Sequence, residues 1–170
     1  ESLDEIPLAL KTEYESLLLD KSYQTQEHAL LNLWLNFQQD KNEYLKRMEG
    51  SVGFKDKNIR QLWLTLNLVS PDYEPEKTTS HLKELVGYTS LKNRFQVREH
   101  AFGYLFQIDA FPNEALENLL EGSFHHTWRF RDFCRQLLET LLKKPKYSKA
   151  IEAMTPVLEK RQINLIDRLK

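Results

Sequence analysis

Four segments of this chain open alike, and the interval between them constrains what it can fold into. They are Thr25-Gln26-Glu27-His28-Ala29, Ile59-Arg60-Gln61-Leu62-Trp63, Val97-Arg98-Glu99-His100-Ala101 and Phe130-Arg131-Asp132-Phe133-Cys134. Each runs from an opening residue to Arg or Gln, then to an acid or amide, and two positions later to a residue of packing type. Taking Thr25, Ile59, Val97 and Phe130 as equivalent gives steps of 34, 38 and 33 residues. Periods of this size mark stacked helical hairpins. A lone hairpin cannot bury its apolar face, so it stacks on its neighbours and the pattern recurs.

The apolar residues follow the helical period around each opening. Leu30, Leu33, Trp34 and Phe37 share a face, as do Leu62, Trp63, Leu66 and Val69. So do Val97, Ala101, Tyr104, Leu105 and Ile108, and Phe130, Phe133, Cys134, Leu137, Leu138 and Leu141. Leu10, Tyr14, Leu17 and Leu18 predict a first helix. Spacing of i, i+3, i+4, i+7 places such residues on one stripe of an amphipathic helix. Between the strong stripes lie more polar helices over about 42–49, 75–86 and 112–121, with Tyr44, Leu45 and Met48, then Leu82, Leu85 and Val86, then Leu116, Leu119 and Leu120 facing inward. Pro7, Pro71, Pro75, Pro112 and Pro145 stand at helix starts or between runs, and Gly50, Gly53, Gly87 and Gly122 at helix ends. Proline suits a first turn, and glycine suits the position after the last, where φ turns positive. No alternating β-branched run occurs. The expectation is an all-α chain, a HEAT/armadillo-like helical-hairpin superhelix of about four repeats. A C-terminal cap would follow, built from a helix at Ile151 and Met154, a break at Pro156 and a short helix at Leu165, Ile166 and Leu169. Residues 1–170 are read as one domain. The chain begins at Glu1 rather than Met, and the expectation is that it is the C-terminal part of a longer chain.

Composition removes several classes of function. The chain has 24 Lys+Arg against 25 Asp+Glu, a net charge of −1. That balance offers no electrostatic footprint for nucleic acid or an anionic membrane, and no apolar stretch approaches the ~20 residues that span a bilayer, so neither nucleic acid nor membrane insertion is expected. Cys134 is the one cysteine, which rules out an intrachain disulfide, and its place in an apolar stripe makes it a buried thiol. The five histidines His28, His81, His100, His125 and His126 form no His-Glu-x-x-His. His125 and His126 are adjacent; on a helix they point about 100° apart and cannot readily share a metal. They read as an exposed or capping pair, and the equivalent positions of His28 and His100 read as packing. No phosphate-binding glycine loop and no Gly-x-Ser-x-Gly elbow occurs. Gly103, alone inside a strong helix, reads as a point of close helix approach. Trp128, just ahead of its stripe, reads as partly exposed.

No catalytic, cofactor-binding or metal residue is therefore assigned. The candidate residues are the polar row Arg60, Arg98, Glu99, Arg131 and Asp132. Structurally, an arginine beside an acid at one place in each repeat can bond the acid of the next, giving a ladder. Functionally, the same row would line a concave groove.

The stretch from Leu30-Leu31-Asn32-Leu33-Trp34 through Gly53-Phe54-Lys55-Asp56-Lys57-Asn58-Ile59-Arg60-Gln61-Leu62-Trp63-Leu64 resembles the C-terminal helical domain of aminopeptidase N-type zinc metallopeptidases, especially bacterial ones. Val97-Arg98-Glu99-His100-Ala101-Phe102-Gly103-Tyr104-Leu105 and the run from His125 to Arg135 extend the likeness over about residues 10–142. The resemblance implies a parent enzyme that removes N-terminal residues from peptides. Its zinc would be held by His-Glu-x-x-His and a distal Glu, and the substrate amine by Gly-x-Met-Glu-Asn, in domains upstream. Neither motif stands in this sequence, so no zinc or catalytic residue carries over. The implied role is a non-catalytic domain that closes over the catalytic one and limits entry to peptides. Its partners would be that upstream catalytic domain and the parent's peptide substrates. On that footing Arg98 or Arg131 would attract peptide carboxylates. The competing expectations are a free-standing protein-interaction module and a HEAT-like DNA-binding domain.

Overall fold

The computed structural model describes residues 8–50, 57–70, 72 and 74–170. Pro7, Gly53 and Pro71, and residues 53–56 of the family-like stretch, lie outside the described residues. The described residues are all-helical and contain no strand. Ten α-helices follow in order: α1 (Leu8–Leu17), α2 (Tyr23–Asn36), α3 (Lys41–Met48), α4 (Lys57–Leu68), α5 (Thr78–Gly87), α6 (Phe95–Gln107), α7 (Asn113–Gly122), α8 (Trp128–Leu142), α9 (Pro145–Met154) and α10 (Lys160–Leu169). Single 3-10 turns lead into α3 and α5 and join α9 to α10. None of the described helices is long and apolar enough to cross a membrane.

The chain divides into two compact units, residues 1–82 and 83–170, with the division inside α5. In the first, α1 packs on α2 and α3 on α4, and α2 lies against α4. In the second, α7 packs on α8, and α6 lies against α8. Hairpin partners in contact, together with side-by-side second helices, are the pattern that stacked hairpins require. The helices α9 and α10 both pack on α8, which caps the second unit. Glu159 and Gln162 start α10 with a reciprocal capping box, satisfying two backbone donors that the helix itself leaves open.

Most of the apolar stripes are the core. Leu30, Leu33, Trp34 and Phe37 are buried, as are Tyr44, Leu45 and Met48, Leu116, Leu119 and Leu120, and Phe130, Cys134, Leu137, Leu138 and Leu141. The position four after each repeat opening, held by Ala29, Trp63, Ala101 and Cys134, is buried in every copy. The differences have local causes. Val69 is exposed because α4 stops at Leu68, and Leu10 is exposed near the start of α1. The inward face of α6 is Arg98, Ala101, Phe102 and Leu105, rotated from the expected stripe, so Val97, Tyr104 and Ile108 are only half-buried. His28 and His100 are exposed and do not pack in the core, whereas His81 is buried edge-on against Trp63.

Gly50, Gly87 and Gly122 stand at helix ends as expected, but not in the expected backbone conformation. None of those described has a positive φ. Gly103 has open space where a Cβ would stand, so it marks no close approach. Gly122 does: a Cβ there would sit 2.7 Å from the Cys134 Sγ and 3.3 Å from a Phe130 ring carbon. The missing side chain lets the end of α7 touch α8. The left-handed position falls instead on Asp109, with φ 51°. It ends α6 in a Schellman arrangement, Ala110 N–H donating to Leu105 O at 2.9 Å and Asp109 N–H to Phe106 O at 3.2 Å.

Candidate functional site

The polar position that opens each strong helix performs one recognisable task in two of its copies. Gln26, which opens α2, is buried and its Nε2 donates to Asp20 O at 2.6 Å. Arg98 holds the equivalent place in α6. It is only 2% exposed, and its Nε donates to Thr89 O at 2.8 Å. In both cases a side chain of the second helix reaches back to a carbonyl in the connection that precedes it. Such a carbonyl has no partner in a helix ladder and costs free energy if buried alone. The side chain therefore fixes the angle at which the hairpin closes.

Arg98 does more. Its Nη2 donates to Asn118 O at 3.0 Å, tying α6 to α7, and Asn118 Nδ2 donates back to Thr89 Oγ1 at 2.9 Å. Its guanidinium lies 5.0 Å from the Phe130 ring centroid, a cation–π contact in a dry site. No carboxylate pairs with it among the described residues. Burial lowers its pKa below the ordinary arginine value, and the fork geometry and weak hydration of a guanidinium make it the cation best able to tolerate this. A side chain so enclosed is no lining for a groove and offers nothing to a peptide carboxylate.

Among the described residues Glu99, Arg131 and Asp132 do not link one repeat to the next. Arg60 is half-buried, its guanidinium 4.8 Å from the Trp63 ring on its own helix. Arg131 Nε faces Asp132 Oδ1 at 3.5 Å, so arginine and acid of one repeat meet each other. Glu99 is half-buried, and no ion pair joins it to Arg131. The reason is geometric: consecutive residues on a helix diverge by about 100°, so Arg98 turns inward while Glu99 does not.

Two further fixings were not visible in the pattern. Arg135 Nε donates to Ser123 O at 2.9 Å, clamping the α7–α8 turn from α8. The Tyr147 hydroxyl donates to Asp109 O at 2.6 Å and accepts Phe111 N–H at 3.3 Å, pinning the left-handed corner to α9. Lys144 donates to Asp109 Oδ1 at 2.7 Å, and this bond above all holds the Asp109 carboxyl below its usual range. Only the positive φ gives these contacts a reason, and no sequence motif announces an aspartate in that role.

The groups that sequence reading considered for chemistry are accounted for similarly. Cys134 is fully buried, and burial pushes its thiol up to about 12, which makes it inert at neutral pH. His125 and His126 lie in the turn before α8, not on a helix, with ring centroids 4.1 Å apart. Among the described residues no three His, Cys, Asp or Glu side chains converge as a metal-binding group. Trp128 is 59% exposed with the Arg129 guanidinium 5.3 Å from its ring. The first unit carries a polar cleft of about 230 Å³ bordered by Lys41, Asn42, Ser70 and Asp72.

No family model, curated protein or solved structure matches the chain.

Proposed function

We propose that this chain is a non-catalytic helical-hairpin module of an aminopeptidase N-type zinc metallopeptidase, closing over a catalytic domain and restricting access to peptides. The observation that carries the reading is where the family-like segments fall. They take in α2 to α4, then α6, then the turn and first half of α8, and within them α2 lies against α4 and α6 against α8. A likeness concentrated on packing helices is a likeness of scaffold. The interior polar groups fit the same role, because Gln26, Arg98, Arg135 and Tyr147 all hold connections in place. Parent zinc and catalytic groups would stand outside this sequence, and Arg98 is withdrawn as a peptide contact.

A second reading, a partner-binding module, draws on Leu31 and Leu35, exposed one turn apart on α2. Two observations separate the readings. The first predicts a reading frame that carries His-Glu-x-x-His and Gly-x-Met-Glu-Asn upstream of Glu1. It also predicts that the purified 170-residue chain hydrolyses no aminoacyl reporter with or without added zinc. An upstream frame lacking both motifs, or zinc-dependent hydrolysis by the chain alone, overturns it.

A further inference from the structure

We propose that the turn joining α7 to α8 is a pH-operated latch, in which neutral His125 holds the start of α8 and its protonation releases that end together with Trp128. The latch is one hydrogen bond. His125 Nδ1 accepts the backbone N–H of Thr127 at 3.1 Å. Thr127 is the N-cap of α8, and its own side chain makes no capping bond. An acceptor two residues ahead of a backbone N–H is the geometry of an Asx turn, here supplied by an imidazole. The Thr127 carbonyl then accepts Arg131 N–H at 3.0 Å, the first rung of the helix. A ring nitrogen accepts only while it carries no proton, so protonation turns this acceptor into a donor facing a donor.

The surroundings make that charge unwelcome. The ring packs edge-on against Phe130 of α8 at 5.1 Å and lies tilted against Phe95 of α6 at 6.0 Å. From its own turn it meets the ring of His126, and from α6 it feels the buried Arg98 cation. On α7, Glu121 acts on Arg98 and is engaged by Arg161 of α10 at 3.5 Å. On α8 the nearest acid of the first turns, Asp132, faces Arg131. No carboxylate bonds to the imidazole among the described residues. Burial, then His126, then Arg98 lower the pKa of His125 from its ordinary value, and together they outweigh a smaller raising contribution from the Thr127 backbone. The neutral ring's contribution is thus complete above about 6.5 and is lost as pH falls through that value towards the lower folded one. Trp128 follows Thr127 directly and is exposed, so release changes the surface that the helix end presents.

The experiment is a two-dimensional amide NMR titration of the full chain between about pH 8 and pH 5. It follows the Thr127 amide, the Trp128 indole N–H and the ring resonances of His125. The expected result is that Thr127 and Trp128 move with the His125 midpoint. Thr127 exchange protection, corrected for intrinsic rate, should fall roughly fivefold, the loss of one hydrogen bond. His125→Asn keeps an acceptor at the same reach but cannot titrate, so its Thr127 resonance should stay at the high-pH position throughout. His125→Ala should start at the released position. A Thr127 resonance that ignores the His125 midpoint in the unmodified chain overturns the proposal, as does His125→Asn showing the same titration as the unmodified chain.

Discussion

The contact between Gly122 and Cys134 gives the most exacting test of the packing. In Gly122→Ala the new Cβ would stand 2.7 Å from Cys134 Sγ, 3.3 Å from a Phe130 ring carbon and 3.5 Å from Arg98 Nη2. All three neighbours are buried, and the Arg98 Nη2 is tied to Asn118 O, so none can swing aside. Overpacking of this kind costs about 1–3 kcal/mol. The backbone raises no objection, since Gly122 has no positive φ, and alanine regains up to about 1 kcal/mol of helix propensity. The net expectation is a loss of about 1–2 kcal/mol, or roughly 2–8 °C in Tm at this chain length. Gly103→Ala is the internal control, because it lies inside α6 with no atom within 4 Å of the new Cβ. It should gain up to about 1 kcal/mol. Urea unfolding followed by circular dichroism measures both. Adding Cys134→Ala to Gly122→Ala removes the closest atom, so the double-mutant cycle should show a favourable coupling of at least about 0.5 kcal/mol. The reasoning is refuted by a Gly122→Ala chain as stable as its parent, or by a Gly103→Ala chain that is less stable.

Other consequences are equally direct. Arg98→Lys cannot span Thr89 O and Asn118 O with one fork, so a buried carbonyl loses its donor and stability falls by about 1–3 kcal/mol; equilibrium unfolding measures it. Asp109→Ala keeps the left-handed corner without the Lys144 bond and should lower the unfolding midpoint, while Asp109→Gly should lower it less. Because Lys144 holds the folded Asp109 carboxyl low, its contribution is present above the unfolded value of ~3.9 and disappears as pH falls through the folded value. Asp109→Asn should flatten that part of the stability curve. Cys134, buried with a raised pKa, should resist thiol reagents at about pH 8 in the folded chain and react fully once unfolded; rapid labelling of the native chain contradicts this.

Periodicity carried the fold because it depends only on which face of each helix is dry. The stripes of α2, α3, α7 and α8 could be read directly from Leu, Phe and Trp spacing. The stripe of α6 was misplaced for a chemical reason: hydropathy assigns arginine to the surface, whereas Arg98 finds carbonyl partners in the core that no local pattern encodes. The glycines failed likewise. Gly103 looked special because it interrupts a helix, but whether a Cβ fits depends on Cys134, twelve residues beyond Gly122 and on another helix. The repeated Arg-acid opening was recognised, but Gln26 and Arg98 turn to carbonyls nearby in sequence rather than to the acid of the next repeat. Asp109 and Tyr147 stand 38 residues apart and meet only through the packing of α9.

The central proposal is that this module governs access to a catalytic domain elsewhere in a longer chain. Aminopeptidase kinetics on the proposed parent chain, with and without these 170 residues, test it most directly, using a dipeptide, a peptide of about ten residues and a folded protein with a free N-terminus. The account predicts that the shortened enzyme, with zinc content unchanged, keeps activity on the dipeptide and loses its discrimination against the larger substrates. Unchanged discrimination, with both forms folded and equally loaded with zinc, contradicts it.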